Sequence, residues 1–125
     1  MRTVMAVGVA GFIGAIARYG IDGLIAQKSG ASFPWGTFVV NITGSFVLGI
    51  LFALLVEGRV AVAPWIRTAA TVGLIGAYTT FSTLMLESWR LIEDGSIAAG
   101  IADLGVSSGL GIAAVVLGLT IGRAI

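Results

Sequence analysis

Four long apolar stretches constrain this chain more than any other feature of its sequence. They cover residues 4–26, 36–57, 65–92 and 96–122, and short polar connections join them. A helix that crosses a bilayer needs about 20 consecutive, mostly apolar residues, so each stretch is long enough to cross once. The sequence therefore predicts an all-α membrane protein in which residues 1–125 form a single domain of four transmembrane helices.

The low charge content points to lipid as the main solvent. Only 10% of the residues are charged and the mean hydropathy is +1.07, whereas a soluble domain carries about 25% charged residues. The chain has no histidine and no cysteine, which excludes the usual zinc sites and the Ser-His and Cys-His catalytic pairs. A net charge of +1 gives no indication of nucleic acid binding. We therefore expect a protein that is not an enzyme.

The basic residues are divided almost evenly between the two sides of the predicted membrane. With the N-terminus in the cytoplasm, four would lie inside and three outside, a distribution with almost no bias under the positive-inside rule. Such a chain can insert in both orientations, and one chain is too small to enclose a pathway easily. We therefore predict an antiparallel dual-topology homodimer. The inside set is Arg2, Arg59, Arg67 and Arg123, and the outside set is Arg18, Lys28 and Arg90.

Glycines recur at helical spacing in the first and fourth stretches. Small residues three or four positions apart leave bare backbone on one helix face, which allows membrane helices to pack closely. We interpret these glycines as packing residues: Gly8, Gly11, Gly14, Gly105, Gly109, Gly118 and Gly122.

The third stretch contains a cluster of hydroxyl groups in mid-span. Thr79, Thr80, Ser82 and Thr83 surround Phe81, shortly after two glycines. A lone Ser or Thr in a helix usually bonds back to its own backbone, but four in five positions fit that account poorly. The cluster predicts a broken third helix, which is tolerated only where the backbone is buried or lines a wet cavity. Freed carbonyls could hold a cation, and freed N–H groups and hydroxyls an anion.

Asn41 places an amide within the second stretch. An amide in hydrocarbon needs hydrogen-bond partners, so it either bonds a neighbouring helix or lines a pathway as a donor. A pathway for cations would normally contain acidic residues. The middle of each of the first three stretches contains no carboxylate. Amide and hydroxyl donors and the positive edge of a phenyl ring suit a small anion instead.

Three segments resemble the signature blocks of the Fluc/CrcB fluoride channels. They are residues 14–19 (GAIARY), 34–44 (PWGTFVVNITG) and 73–83 (GLIGAYTTFST), in the family's order and spacing. The resemblance implies a channel in the inner (plasma) membrane that exports cytoplasmic fluoride passively and reduces its toxicity. It also implies an antiparallel dual-topology homodimer with a structural sodium ion (Na+) at the interface.

The resemblance assigns roles to individual positions. It places Arg18 and Glu87 near the aqueous vestibule, and makes Gly76 and Thr79 the sodium ligands through their backbone carbonyls. The fluoride pathway that it implies consists of Asn41, Phe81, Ser82, Thr83 and Ser107.

The chain departs from the family pattern at three positions. Leu84 stands where a second phenylalanine is usual and Ala77 where a second glycine is common. Asp103 stands where an aromatic or neutral residue is common, and we expect it near the interface or paired, with an arginine or solvent as its partner. Arg18 and Asp22, four residues apart on one helix face, are candidates for an ion pair.

Two other functions remain open. A small multidrug-resistance-type dual-topology exporter fits the size and charge balance, but such exporters need a glutamate in the first helix, and residues 4–26 contain none. A packing subunit of a larger complex would explain the glycines but leaves the hydroxyl cluster at 79–83 unexplained.

Overall fold

The computed structural model describes all 125 residues, and every regular element is helical. Four spans are long and apolar enough to cross a membrane: Arg2–Ser29, Trp35–Val56, Pro64–Glu93 and Ile97–Ala124. Each predicted range agrees with an observed span to within three residues at either end. The all-α fold and its four potential membrane crossings are therefore confirmed.

The first and fourth spans are single helices, while the second and third are composite. The second widens into a π-helical turn at its end, and the third contains a π-helical segment followed by an interruption. In chain order the elements are α1 (Arg2–Ser29), α2 (Trp35–Leu51), a π-helix (Phe52–Val56), α3 (Pro64–Thr68), a π-helix (Ala69–Ile75), α4 (Gly76–Tyr78), α5 (Phe81–Glu93) and α6 (Ile97–Ala124).

Glycine and proline delimit the spans. Gly30 ends α1 in the left-handed region at a φ of 56°, which glycine adopts without steric cost. Pro64 opens the third span in its first turn, where the missing N–H has no helical partner to lose. These residues keep the connections short, so consecutive spans run back and forth beside one another.

Glycines bring the spans close together in two places. A Cβ at Gly118 would fall on the Phe46 carbonyl oxygen of the second span, and one at Gly14 would fall on the Leu74 carbonyl oxygen of the third. The second and fourth spans form the most extensive contact, and the first span packs on the third. At three of the predicted packing glycines an added Cβ would instead meet no neighbouring atom within 4 Å: Gly8, Gly105 and Gly109.

Most apolar side chains lie on the outside of this bundle. Only 17 of 125 residues are buried, and the buried hydrophobic residues number five. Large apolar side chains such as Phe12, Ile112 and Val116 are more than half exposed. A water-soluble protein would bury them, so this distribution agrees with a lipid-facing surface.

Candidate functional site

The helical backbone of the third span stops at Tyr78 and resumes at Phe81. Between them the chain is extended, with a ψ of 158° at Thr79 and φ and ψ of −148° and 118° at Thr80. In a continuous helix the Thr80 N–H would donate to the Gly76 carbonyl, four residues earlier. Backbone groups in this interval therefore need partners from elsewhere in the molecule.

Asn41 of the second span supplies two of these partners. Its Nδ2 donates to the Thr80 carbonyl oxygen at 3.0 Å, and its Oδ1 accepts from the Thr80 N–H at 2.8 Å. The Asn41 amide thus bonds both backbone polar groups of Thr80 and retains a second N–H. The contact with a neighbouring helix, one of the two alternatives for Asn41, is present.

The threonine hydroxyls bond to the helix ends on either side of the interruption. Thr80 Oγ1 accepts from the Thr83 N–H at 3.4 Å and donates to Thr83 Oγ1 at 3.0 Å, so Thr80 is the N-cap of α5. Thr79 Oγ1 donates to the Ile75 carbonyl oxygen at 3.1 Å. Part of the hydroxyl cluster therefore supplies hydrogen-bond partners to backbone groups at the ends of helices.

Gly44 provides the room in which the interruption sits. A Cβ there would collide with the Thr79 methyl group and lie 2.9 Å from a ring carbon of Tyr78. The Tyr78 hydroxyl is held in turn by the Thr43 hydroxyl at 2.9 Å. The second span therefore contacts the interrupted segment through a bare backbone position as well as through Asn41.

A cleft of about 480 Å³ borders the interruption and involves the second, third and fourth spans. We call it the main cleft. It brings together three residues of the predicted anion pathway, and Phe81 among them is 74% exposed. Leu84, at the position of the usual second phenylalanine, also lines it. Its lining includes Asn41, Thr79, Thr80, Phe81, Leu84 and Ser107.

The other two predicted pathway residues lie outside the main cleft. Thr83 lines a smaller cavity of about 210 Å³ that also includes Arg18, Asp22 and Thr37. Thr80 lines both this cavity and the main cleft, so it stands between them. Ser82 is exposed, and its hydroxyl makes no hydrogen bond within the chain.

Arg18 and Asp22 do not form the ion pair considered above. The ion pair within 4 Å in this chain joins Arg123 and Glu57, at 2.6 Å. Asp22 turns instead toward Gly36, where the absence of a side chain leaves space for its carboxylate.

Glu87 lines a third cavity, of about 400 Å³, together with Asp22 and Arg90. One of its carboxylate oxygens is buried without a hydrogen-bond partner, as is the hydroxyl of Thr37. Arg18 and Glu87 therefore lie in neighbouring polar cavities that share Asp22.

Asp103 is paired, which was one of the two alternatives expected for it, but its partners are neither an arginine nor solvent. The residue is fully buried, and its carboxylate accepts from Ser88 Oγ at 2.7 Å and from Ser107 Oγ at 3.2 Å. Gly100 makes this position possible, since a Cβ there would lie 2.6 Å from the Ser88 carbonyl oxygen. The fourth span therefore approaches α5 closely enough for Ser88 to reach Asp103, and Ser107 of the fourth span itself is the second partner.

Thr80 is the central residue that sequence reasoning omitted from the site. It belongs to the hydroxyl cluster, but its role depends on Asn41, 39 positions away in the chain. The available signal was its place immediately before Phe81, since a threonine that opens a helix is a common N-cap.

No group of three or more His, Cys, Asp or Glu residues is placed to hold a metal ion. Backbone carbonyls are another source of oxygen ligands for a hard cation. The Gly76 carbonyl suits that role because the Thr80 N–H is engaged by Asn41.

The chain is similar to known proteins over nearly its whole length. Residues 5–119 match the family described as CrcB-like protein, Camphor Resistance (CrcB). Relatives named fluoride-specific ion channel FluC include one from Desulforapulum autotrophicum, 41% identical over 95% of this chain and 94% of its own length. Another, from Rhizobium meliloti, is 37% identical over 99% and 98%.

A relative named fluoride-specific ion channel FluC 1, from Symbiobacterium thermophilum, is 43% identical over 93% of this chain and 94% of its own length. These relatives are ion channels by name, which supports the expectation that the chain is not an enzyme. The matches confirm the resemblance found in the three sequence segments. This multi-pass membrane protein belongs to the CrcB family.

Proposed function

We propose that this chain is the subunit of a fluoride-selective channel in the inner (plasma) membrane. The channel lets cytoplasmic fluoride leave passively and so reduces fluoride toxicity. The relatives named fluoride-specific ion channels, at about 40% identity over almost the entire chain, support this function. The structural observation that supports this function most directly is that Asn41, Phe81 and Ser107 line one cleft beside the interruption of the third span.

Fluoride is small and strongly hydrated, so a pore must replace its water with other donors. The second N–H of the Asn41 amide and the positive edge of the exposed Phe81 ring are available at the main cleft. The unengaged Ser82 hydroxyl and the Thr83 hydroxyl continue the set beyond it. Several weak sites of this kind allow the ion to enter and to leave.

The membrane potential supplies the direction of transport. With the inside negative, moving one anion outward is favourable by about 2.3 kcal/mol per 100 mV. No chemical step and no coupled ion are needed for export.

The functional unit that we propose is an antiparallel dual-topology homodimer. Phe81 is 74% exposed in the single chain, and the main cleft is open on one side. A second copy would complete the wall that one chain lacks. The nearly even division of seven basic residues between the two sides supports opposite insertion of the two copies.

A sodium ion at the interface between the two copies is part of this proposal. The fit rests on the broken third helix, where the Thr80 N–H no longer serves the Gly76 carbonyl and the extended Thr79 lines the main cleft. When bound, the ion supplies fixed positive charge that neutralises carbonyl dipoles. The Gly76 and Thr79 carbonyls of both copies would hold it, since a hard cation prefers oxygen ligands.

Fluoride efflux from liposomes that contain the purified chain tests this function. A fluoride electrode should record rapid efflux in the presence of valinomycin, and the same liposomes loaded with chloride should show none. F81A should reduce efflux to that of protein-free liposomes without changing the elution profile, because the ring is mostly exposed.

The matched control is F52A, since Phe52 is 44% exposed but lies outside the main cleft. Its efflux should equal that of the unmodified chain. An equal loss of fluoride efflux in F81A and F52A, or no fluoride efflux from the unmodified chain, would overturn the proposed function.

A further inference from the structure

We propose that Asp103 is a positioning residue that holds the Ser107 hydroxyl proton away from the main cleft. In this way Asp103 sets how strongly the fourth span can bind an anion there. The inference rests on the proposed function, because it concerns the same pathway. It assigns a role to a carboxylate that is fully buried and lines none of the three cavities described above.

The three residues of this cluster differ in their access to the cleft. Ser107 lines the main cleft, whereas Asp103 and Ser88 lie behind it with 0% and 1% exposure. Ser107 stands one helical turn after Asp103, so both occupy the same face of the fourth span. The carboxylate is therefore separated from the cleft by one hydroxyl group.

The direction of the hydrogen bonds decides what Ser107 offers to an anion. A carboxylate accepts through its oxygens, and a serine has a single proton to donate. The Ser107 hydroxyl donates to Asp103 Oδ1 at 3.2 Å, while Ser88 donates to Oδ2 at 2.7 Å. Ser107 therefore presents lone pairs, and no proton, to an anion in the cleft.

The backbone packing shows that this cluster is built into the fold. Gly100, Asp103 and Ser107 are all buried and follow one another at helical spacing on one face. At Gly100 the fourth span touches α5 so closely that a Cβ would lie 2.6 Å from both the Ser88 carbonyl oxygen and a side-chain carbon of Ile92. This approach places Ser88 within reach of Asp103.

The variant D103N tests the proposal because it keeps the shape and exchanges one acceptor for a donor. The shorter bond to Ser88 favours keeping the amide oxygen on that side, so the new N–H faces Ser107. Ser107 then accepts this hydrogen bond, and its own proton becomes available to the cleft. One added donor should raise fluoride efflux and lower the half-saturating fluoride concentration by about 2- to 10-fold.

The decisive comparison is D103N against D103N/S107A, with S107A as the reference. The gain should disappear in the S107A background, because no hydroxyl remains to be released. A gain that persists there means that the charge of Asp103 acts on the anion without Ser107, and the proposal is then wrong. No gain from D103N in the folded protein also overturns it.

The double variant D103L/S88A provides a second route that does not depend on how the asparagine is oriented or whether D103N folds. It removes the acceptor and its other donor together, so Ser107 again loses its partner inside the bundle. Efflux should rise, and the rise should vanish when S107A is added; any other result counts against the proposal. S88A alone should leave efflux unchanged, since Ser107 keeps its bond to Asp103.

The unmodified chain separates this inference from the proposed function. Fluoride efflux without a Ser107-dependent gain would overturn the positioning role alone. Absence of efflux from the unmodified chain would overturn the channel function, and the inference with it.

Discussion

Two polar clusters fix the third span to its neighbours, and they use their hydrogen bonds differently. In the first, the Asn41 amide bonds the backbone of Thr80 where the helix is interrupted. In the second, Asp103 accepts from two serines, one of them on the continuous helix α5. The first cluster borders the main cleft, whereas two of the three residues in the second are hidden behind it.

The difference lies in what each central side chain has left to offer. An amide that serves one carbonyl and one N–H still has a free donor, so it can stabilise the backbone and face an anion together. A carboxylate can only accept hydrogen bonds, so the hydroxyl groups beside it donate their protons to it. Under the proposed function, the donors and acceptors that each cluster leaves unused decide whether it can offer a hydrogen bond to an anion.

The largest effect should come from N41A, which breaks the first cluster. It leaves the Thr80 N–H and carbonyl without partners, so we expect efflux no greater than that of protein-free liposomes. The free energy of unfolding should fall by about 1–3 kcal/mol, as two hydrogen bonds are lost. Fluoride efflux and unfolding in mixed micelles measure the two effects.

N41D is the informative partner of that variant. It retains an acceptor for the Thr80 N–H but turns a second carboxylate oxygen toward the Thr80 carbonyl, so efflux should be lost and the free energy of unfolding should fall at least as far as in N41A. Normal efflux in either variant would contradict the role given to Asn41.

G44A should disturb the same cluster through packing. An added Cβ collides with the Thr79 methyl group, and such overpacking costs about 1–3 kcal/mol. G20A is the control, because nothing lies within 4 Å of a Cβ at that position. If both variants melt at the same temperature as the unmodified chain, the close approach of the second span to Thr79 is not important for stability.

S88A affects the second cluster only. It removes the shorter of the two hydrogen bonds to Asp103 and should lower the free energy of unfolding by about 0.5–2 kcal/mol. Efflux should stay unchanged, in contrast to N41A. A loss of efflux in S88A would abolish the distinction between the two clusters.

The smallest effect should come from E57Q, which lies outside both clusters at the end of the second span. The hydrogen bond from Arg123 holds the pKa of the Glu57 carboxyl below its ordinary value. The contribution of this pair to stability is therefore present above the ordinary carboxyl pKa and is lost as the pH falls through the lowered one. Because the pair is exposed, the effect is small.

Melting temperatures of E57Q and the unmodified chain should differ slightly at neutral pH and converge in acid. Efflux should be the same for both. A difference that grows as the pH falls would show that the sign assigned to this pair is wrong.

The length and apolar character of the four spans were predictable from the sequence. Hydropathy is a sum over neighbouring residues, so Arg2–Ser29, Trp35–Val56, Pro64–Glu93 and Ile97–Ala124 could be located without any tertiary contact. The family could be recognised from the sequence for the same reason, because each of its three signature segments is continuous in the chain.

The state of each polar group depended on the tertiary structure. Asn41 meets Thr80 from 39 positions away, and Asp103 meets Ser88 from 15 positions away. Glycine contacts such as the one at Gly100 set these distances, and no local pattern records them. The sequence by itself determined that the chain has donors and acceptors within its spans, while only the packing of the helices decided which of them remain free.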